Sequence, residues 1–214
     1  MLCDCSAPVG QVWQGVPVTS GSSSSSSRRI GTTDSKTRAR LVDAAEELLL
    51  EEGYAAVTSR RVAAKAGLKP QLVHYYFRTM DDLFLEVFRR RADENVARFE
   101  REIAADCSLR TLWRLNADPR GATFNIEFVA LANHRKAIRS EIARYAERYR
   151  AAQLEALTAA LRADGVADPP PIVLLLLMTG LTQVLALEEA LGMTTGHDAS
   201  IRYVEAAIAQ VEDP

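Results

Sequence analysis

From Thr33 almost to the end of the chain, apolar side chains recur at steps of three and four, and no stretch alternates with the period of two that a half-buried strand shows. The pattern predicts an all-α protein of about nine helices. The first, about Ser35 to Glu52, carries Leu41, Ala45, Leu48 and Leu49 on one face and stops at Gly53, which suits a left-handed cap. Thr58 is a hydroxyl N-cap for a second helix of about two turns that ends before Gly67. Pro70 suits the first turn of a third, reaching about Phe77, because the donor it lacks would be unpaired there anyway. A fourth, about Met80 to Ala105, spaces Phe84, Phe88, Ala92, Val96, Phe99 and Ile103 along one face. Shorter helices follow at about Ser108 to Asn116 and Asp118 to Asn133. A long one then runs from about Arg135 to Ala163, and its stripe changes from Ile138, Ile142, Tyr145 and Tyr149 to Leu154, Leu157 and Leu161, so two packing partners are expected. The eighth spans about Pro170 to Leu191, and Ile201, Val204, Ile208 and Val211 stripe the ninth.

The eighth helix raises the membrane alternative, because Ile172 to Met178 is unbroken apolar sequence. Thr179, Gly180, Thr182 and Gln183 interrupt it, and Glu188-Glu189 are expected to end it short of the ~20 residues of a span. No membrane partner is therefore expected. A helix apolar all round in a soluble protein must bury more than one side, and a second copy of the chain is the natural cover for a side its own body leaves open.

Residues 1 to 31, with four Gly, two Pro and the run Ser22 to Ser27, cannot bury enough apolar surface to order themselves and read as a flexible tail. Cys3 and Cys5 in that tail lack a third and fourth ligand, and with Cys107 they make an odd number that forms no disulfide framework. His134 and His197 have no partner at metal spacing, so neither metal nor cofactor is expected. The first thirty residues lack the basic start and apolar run of a secretory leader, and the expected location is the cytoplasm.

Net charge is −2, but it is unevenly spread. Residues 28 to 91 hold 13 Lys+Arg against 9 Asp+Glu, whereas residues 92 to 214 hold 13 against 18. A basic N-terminal third on an acidic body is the balance of a small polyanion-binding module carried by something else. Residues 58 to 77 show what that module is. Two short helices meet at a turn containing Gly67, and Val62, Ala63 and Ala66 are small enough to let the second cross close over the first, which is helix-turn-helix grammar. The second of these helices exposes Lys69, Gln71, His74 and Tyr75, while Leu72, Val73, Tyr76 and Phe77 supply its buried face. Donors for base edges and phosphates thus collect on one side. Arg28, Arg29, Lys36, Arg38 and Arg40 ahead of the motif form either a solvated face or a basic arm that reaches backbone or minor groove.

Over residues 33 to 84 the chain resembles the tetracycline-repressor (TetR) family of bacterial transcription regulators. Gly53-Tyr54, Thr58, Val62-Ala63, Ala66-Gly67-Leu68, the run Leu72 to Phe77 and Asp82-Leu83 fall where that family's signature puts similar residues. The resemblance implies a helix-turn-helix DNA-binding domain at 32–79, a helical ligand-binding and dimerisation domain at 80–214, and a homodimer on a palindromic double-stranded operator. Thr58, Arg60 and Tyr76 would then hold phosphates, while Lys69, Gln71, His74 and Tyr75 meet bases or backbone. Two departures stand out: Lys69 occupies a position that is usually Ser or Thr, and Met80 one that is usually Lys, so a phosphate contact is expected to move to the earlier site.

The same resemblance implies pairing through the last two helices, with Leu177, Leu181, Val184, Leu185, Ile201, Val204 and Ile208 at the interface. It also implies a ligand pocket, for which Phe99, Ile103, Trp113, Phe124, Phe128 and Leu131 supply apolar walls and Asn125, Thr179 and Gln183, with Thr123 and Thr182, sparse polar groups. No nucleophile with a base and orienter, no paired carboxylates and no phosphate-cradling glycine loop is visible, so an enzyme is not expected. The function that follows is a sequence-specific transcriptional regulator, a repressor released by a small apolar or amphipathic effector. The alternative is a DNA-binding helical protein whose C-terminal body only dimerises or docks a protein partner.

Overall fold

The computed structural model of the chain describes residues 32–212, among which regular structure consists of nine α-helices and one short 3-10 turn. The tail reading, with Cys3, Cys5, Arg28 and Arg29, falls outside the described residues. The chain divides into two compact units that meet at Arg91 and Ala92, inside the fourth helix.

The first unit comprises α1 (Thr32–Glu52), a 3-10 turn (Tyr54–Ala56), α2 (Ser59–Lys65), α3 (Pro70–Tyr76) and the opening turns of α4 (Met80–Ala105). Its core is Leu41, Val42, Leu48, Leu49, Val57, Val62, Ala63, Val73, Phe77, Leu83, Phe84, Val87 and Phe88, all buried. Gly53 ends α1 at φ 81°, as the sequence predicts, and the 3-10 turn that follows has no periodic signal to announce it. Helix α4 starts on a reciprocal cap in which the Asp82 backbone N–H donates to Thr79 Oγ1 at 3.1 Å and the Thr79 N–H to Asp82 Oδ2 at 3.0 Å. Ion pairs staple α1 to α4: Arg90 reaches Asp43 and Glu46, and Arg38 pairs with Glu86.

The second unit holds the rest of α4 with α5 (Leu109–Asn116), α6 (Pro119–Ala132), α7 (Lys136–Ala163), α8 (Pro171–Ala190) and α9 (His197–Glu212). Ser108 caps α5, its Oγ accepting from the Thr111 N–H at 3.1 Å. The Asp106 carboxylate accepts from the Thr111 and Ser108 hydroxyls, and those two bonds hold it below its usual carboxylate range. The core gathers Phe99, Ile103, Leu112 and Trp113 with Ala156, Leu157, Leu161, Leu175 and Met178. The expected change of stripe on α7 is visible: Ile138 is buried, Ile142, Tyr145 and Tyr149 are half-buried, and the continuous buried stripe resumes at Ala152.

Helix α8 corrects one expectation. It is 20 residues long and by length and composition suffices to cross a membrane, because the two glutamates fall inside its last turn instead of cutting it short. Its packing is that of a core helix on one side, against α5, α6 and α7. Leu175, Met178 and Thr182 are buried there. Along the opposite side Val173, Leu177, Gly180, Val184, Leu187 and Leu191 are exposed, at steps of four, three, four, three and four. That spacing is a seam, with Leu177 62% exposed at its centre.

Candidate nucleic-acid interface and cavity

The geometry of the helix-turn-helix is set by local chemistry. Thr58 Oγ1 accepts from the Arg61 backbone N–H at 3.4 Å and opens α2. Gly67 turns the chain at φ +65°, which an L side chain adopts only with strain. A Cβ there would also lie 3.4 Å from Arg40 Nη2, the group that donates to the Ala66 carbonyl at the end of α2. The turn is therefore held from α1 as well as by its own backbone. Pro70 then starts α3, as its fixed φ allows.

Helix α3 is pinned by Val73, with Phe77 just beyond its end, both buried. Lys69, Gln71, His74 and Tyr75 are exposed, and the side chains of the first three form no hydrogen bond or ion pair among the described residues. Tyr75 is 72% exposed and meets the edge of the half-buried Tyr76 ring at 4.9 Å. The cations around them sort into two groups. Arg61 pairs with Glu52, and Lys65 with Glu47 and Glu51, so both are committed to α1. Arg38 is committed too: Glu86 raises its guanidinium pKa, and the group lies 5.1 Å over the Phe77 ring. With Arg40 bound to Ala66, two of the five residues read as a basic arm serve the packing of the unit instead. Arg60 and Lys69 remain, exposed and without a partner among the described residues. Arg78, two residues past the end of α3, is likewise exposed with its side chain unpaired among the described residues, and sequence reasoning passed over it. Its signal was available: a cation two positions before Met80, where the family usually has Lys.

Thr58 is exposed, and capping uses only its oxygen as an acceptor, which leaves its hydroxyl hydrogen to donate. The exposed face of α3 with Thr58, Arg60 and Arg78 is thus rich in unspent donors and cations and contains no carboxylate. It is chemically complementary to a polyanion with hydrogen-bonding edges.

The second unit contains a cavity of ≈ 820 Å³. It lies between a stripe of α8 (Thr182, Leu185, Ala186 and Glu189) and a stripe of α9 (His197, Ile201, Glu205 and Ile208), and α5 with the start of α6 adds Trp113, Asn116 and Asp118. Of the residues expected around a pocket, Trp113 lines it. Phe99 and Ile103 fill the core instead, and Phe124 packs on Phe128 at 4.5 Å with Leu131 buried nearby in sequence. Asn125 and Gln183 are exposed away from the cavity lining. Thr179 is half-buried, and its hydroxyl donates to Asn116 Oδ1 at 3.4 Å, which also accepts from Gln153 Nε2 at 3.2 Å. Thr182 is 8% exposed and does face the cavity.

The residues expected at a dimer interface divide as well. Leu177 and Val184 lie on the exposed seam of α8. Leu185, Ile201 and Ile208 line the cavity, and Leu181 and Val204 pack against the core cluster. The reason is that α8 is apolar on every side, so its sequence does not separate inner from outer positions. His197, which lines the cavity, meets Glu188 at 2.8 Å, while His134 is exposed. Among the described residues no cluster of His, Cys, Asp or Glu could hold a metal.

Comparisons with known proteins agree with this geometry. The model of the bacterial regulatory proteins of the tetR family matches residues 41–87, which contain the whole helix-turn-helix. The HTH-type transcriptional regulator BetI of Rhizobium meliloti is 34% identical over 138 residues, 59% of this chain and 67% of that one. In fold, the chain is similar to a Saccharomonospora viridis protein assigned as a transcriptional regulator and solved in complex with choline, with TM-score 0.68 and 20% identity over 75% of this chain and 88% of that one. It is also similar to a TetR transcription regulator from Haloarcula marismortui, with TM-score 0.64 and 19% identity over 82% and 97% of the two chains. The donor-rich helix-turn-helix, its family match and the two-thirds coverage of a relative make this chain a member of the tetR family of bacterial regulatory proteins, a DNA-binding transcriptional regulator.

Proposed function

We propose that the chain works in the cytoplasm as a two-fold homodimer on a near-palindromic operator, and that a small molecule held in the cavity of the second unit releases it, as expected of a repressor. The observation that carries the reading is the face of α3, where Lys69, Gln71 and His74 stand exposed and unengaged over a buried Val73. A helix of that kind fits a major groove, with Gln71 and His74 reading base edges and Thr58, Arg60 and Tyr76 holding phosphates. Lys69 and Arg78 supply the charge that Met80 does not.

The α8 seam supports the dimer. An apolar row at heptad spacing along most of a helix is costly to leave in water, and a two-fold axis lets one copy cover the other with the same row. On α9, Tyr203 is likewise left 77% exposed. The cavity of ≈ 820 Å³, with a buried Trp113 at its wall, has the size and mixed lining of a small-molecule site. A fold relative solved with choline supports an effector of that scale.

The test is a footprint on the preferred DNA, followed by titration of the complex with metabolites. The expected result is protection of two half-sites about one helical turn, ~34 Å, apart, and release by a small molecule. Protection of one unrepeated half-site, or a monomer by light scattering at micromolar concentration, contradicts the reading. Binding that no small molecule relieves leaves a DNA-binding dimer without an effector.

A further inference from the structure

We infer that Arg38 and Arg40 of α1 are positioning residues for DNA reading: they clamp the two ends of α3 and hold its donor face in line for a groove without touching DNA themselves. The inference rests on α3 being the reading helix and adds what fixes that helix in place.

Helix α3 has little of its own to fix it. It is seven residues long and buries only Val73 within its length, and it packs chiefly against α2, which is equally short. One buried anchor leaves a short helix free to pivot, so its direction is set by what holds its ends. Before α3, Arg40 Nη2 donates to the carbonyl of Ala66, the C-cap of α2, one residue ahead of the Gly67 that turns the chain. After α3, the Arg38 guanidinium lies 5.1 Å over the Phe77 ring while it pairs with Glu86 of α4. Phe77 moves with α3, because its backbone N–H donates to the Val73 carbonyl at 2.8 Å. At 3.6 residues per turn, two side chains two positions apart leave a helix roughly 200° apart, so Arg38 and Arg40 serve separate points.

The other use of these cations is a phosphate contact, and each meets an obstacle to it. Arg38 must leave both Glu86 and the Phe77 ring, and Arg40 must give up the bond that holds the turn. Arg60, Lys69 and Arg78 already supply cations whose side chains have no partner among the described residues. Glu86 separates the two roles. If Arg38 gripped a phosphate, Glu86 would compete for it, and removing that carboxylate would tighten DNA binding. As the third member of the clamp, Glu86 instead keeps Arg38 over Phe77, and its removal loosens α3 even though it deletes a negative charge from a unit that binds a polyanion.

The experiment takes the duplex that the full-length parent selects from a randomised pool, with an unrelated duplex of equal length. Anisotropy titrations across a salt series compare the parent with Arg38→Gln, Glu86→Gln, their double variant and Arg40→Gln, at a temperature where circular dichroism shows every variant fully folded. A merely structural role moves melting temperature and leaves these affinities alone. Each single variant should instead bind the selected duplex about tenfold more weakly, a few-fold from each of two subunits at the scale of a partly exposed charged contact. Binding to the unrelated duplex should change by less than about twofold, because it draws on charge and not on the alignment of α3. The double variant should be no weaker than Arg38→Gln, and every slope of log K against log salt should match the parent's. A slope lowered by about one unit in either arginine variant, with both duplexes weakened alike, makes that residue a phosphate contact and overturns the inference. Tighter binding by Glu86→Gln, additive losses in the double variant, or unchanged affinity in either arginine variant overturns it too. Gln71→Ala and His74→Ala are measured alongside: if neither alters discrimination between the duplexes, it is the reading by α3 that falls, whatever the arginine variants do.

Discussion

Helices α3 and α8 both present an open face to solvent, and the two faces are chemical opposites. On α3 the exposed side chains are Gln71, His74 and Tyr75, hydrogen-bonding groups that water solvates at no cost. On α8 they are Val173, Leu177, Val184 and Leu187, groups that gain roughly 25 cal/mol for every Å² removed from water. An exposed polar face is stable as it stands and selects a partner by matching donors and charge. An exposed apolar seam is a deficit that any well-fitting apolar surface fills, and a two-fold copy of itself fits by symmetry. On the proposed reading the first face determines what is recognised, and the second how many chains do the recognising.

The sharpest way to break the comparison is to charge the seam. Leu177→Glu or Val184→Glu should leave the isolated chain folded, since both side chains already face water, yet put an unpaired charge into the dimer at a cost on the order of several kcal/mol. Sedimentation should show a monomer with an unchanged helical circular dichroism spectrum. Leu185→Glu, one position along, points into the cavity and should leave the dimer intact while lowering thermal stability or ligand binding. A stable dimer of Val184→Glu would place the interface elsewhere.

On the α3 side the backbone is the next most sensitive point. Gly67→Ala should destabilise the first unit by about 1–2 kcal/mol, the cost of a left-handed conformation for a residue with Cβ, with Arg40 forced to shift as well. Denaturant titration measures it, and a change under 0.5 kcal/mol, roughly the scatter of neutral surface substitutions, would mean the turn relaxes freely. Smaller still are the phosphate contacts. Arg60→Ala should weaken every DNA sequence alike and reduce the slope of log K against log salt by about one unit, because one fewer phosphate is neutralised. Tyr76→Phe removes a hydroxyl without a charge and should leave the slope unchanged.

The smallest expected effect is on pH. Glu86 is held below its ordinary pKa chiefly by its bond to Arg38, so the pair's contribution is complete above the ordinary carboxylate range and is lost as pH falls through the lowered value. Glu86→Gln should flatten the acid limb of the first unit's stability and leave it unaltered near neutrality apart from a constant offset. An unchanged acid limb would mean that the pair contributes nothing.

What was legible in the sequence follows the range of the forces involved. Thr58, Gly67 and Pro70 act within a turn of their own position, so the ends of α2 and α3 could be placed within a residue or two. The all-α class and the nine helices follow from periodicity of the same short range. The cavity does not. Leu185 and Val184 are alike in hydropathy and adjacent in a helix apolar all round, yet one faces the cavity and the other solvent, and only the packing of α5, α6 and α9 decides which. The ion pair that occupies Arg110 joins α5 to the end of α9, 102 residues away, so it emerges only in three dimensions. Arg38 and Arg40 were ambiguous for the same reason, since a cation ahead of a helix-turn-helix looks identical whether its partner is a phosphate or Glu86.

The central claim is that the open face of α3 reads DNA sequence. Its most direct test takes the duplex selected by the parent protein from a randomised pool and measures anisotropy titrations of the parent, Gln71→Ala and His74→Ala on that duplex and on versions with single base pairs changed. Each variant should lose ~1–3 kcal/mol of discrimination at one position per half-site and keep it at the others. If both variants bind and discriminate like the parent while substitutions within residues 108–134 abolish discrimination, DNA is read elsewhere on the chain and the assignment of α3 is wrong.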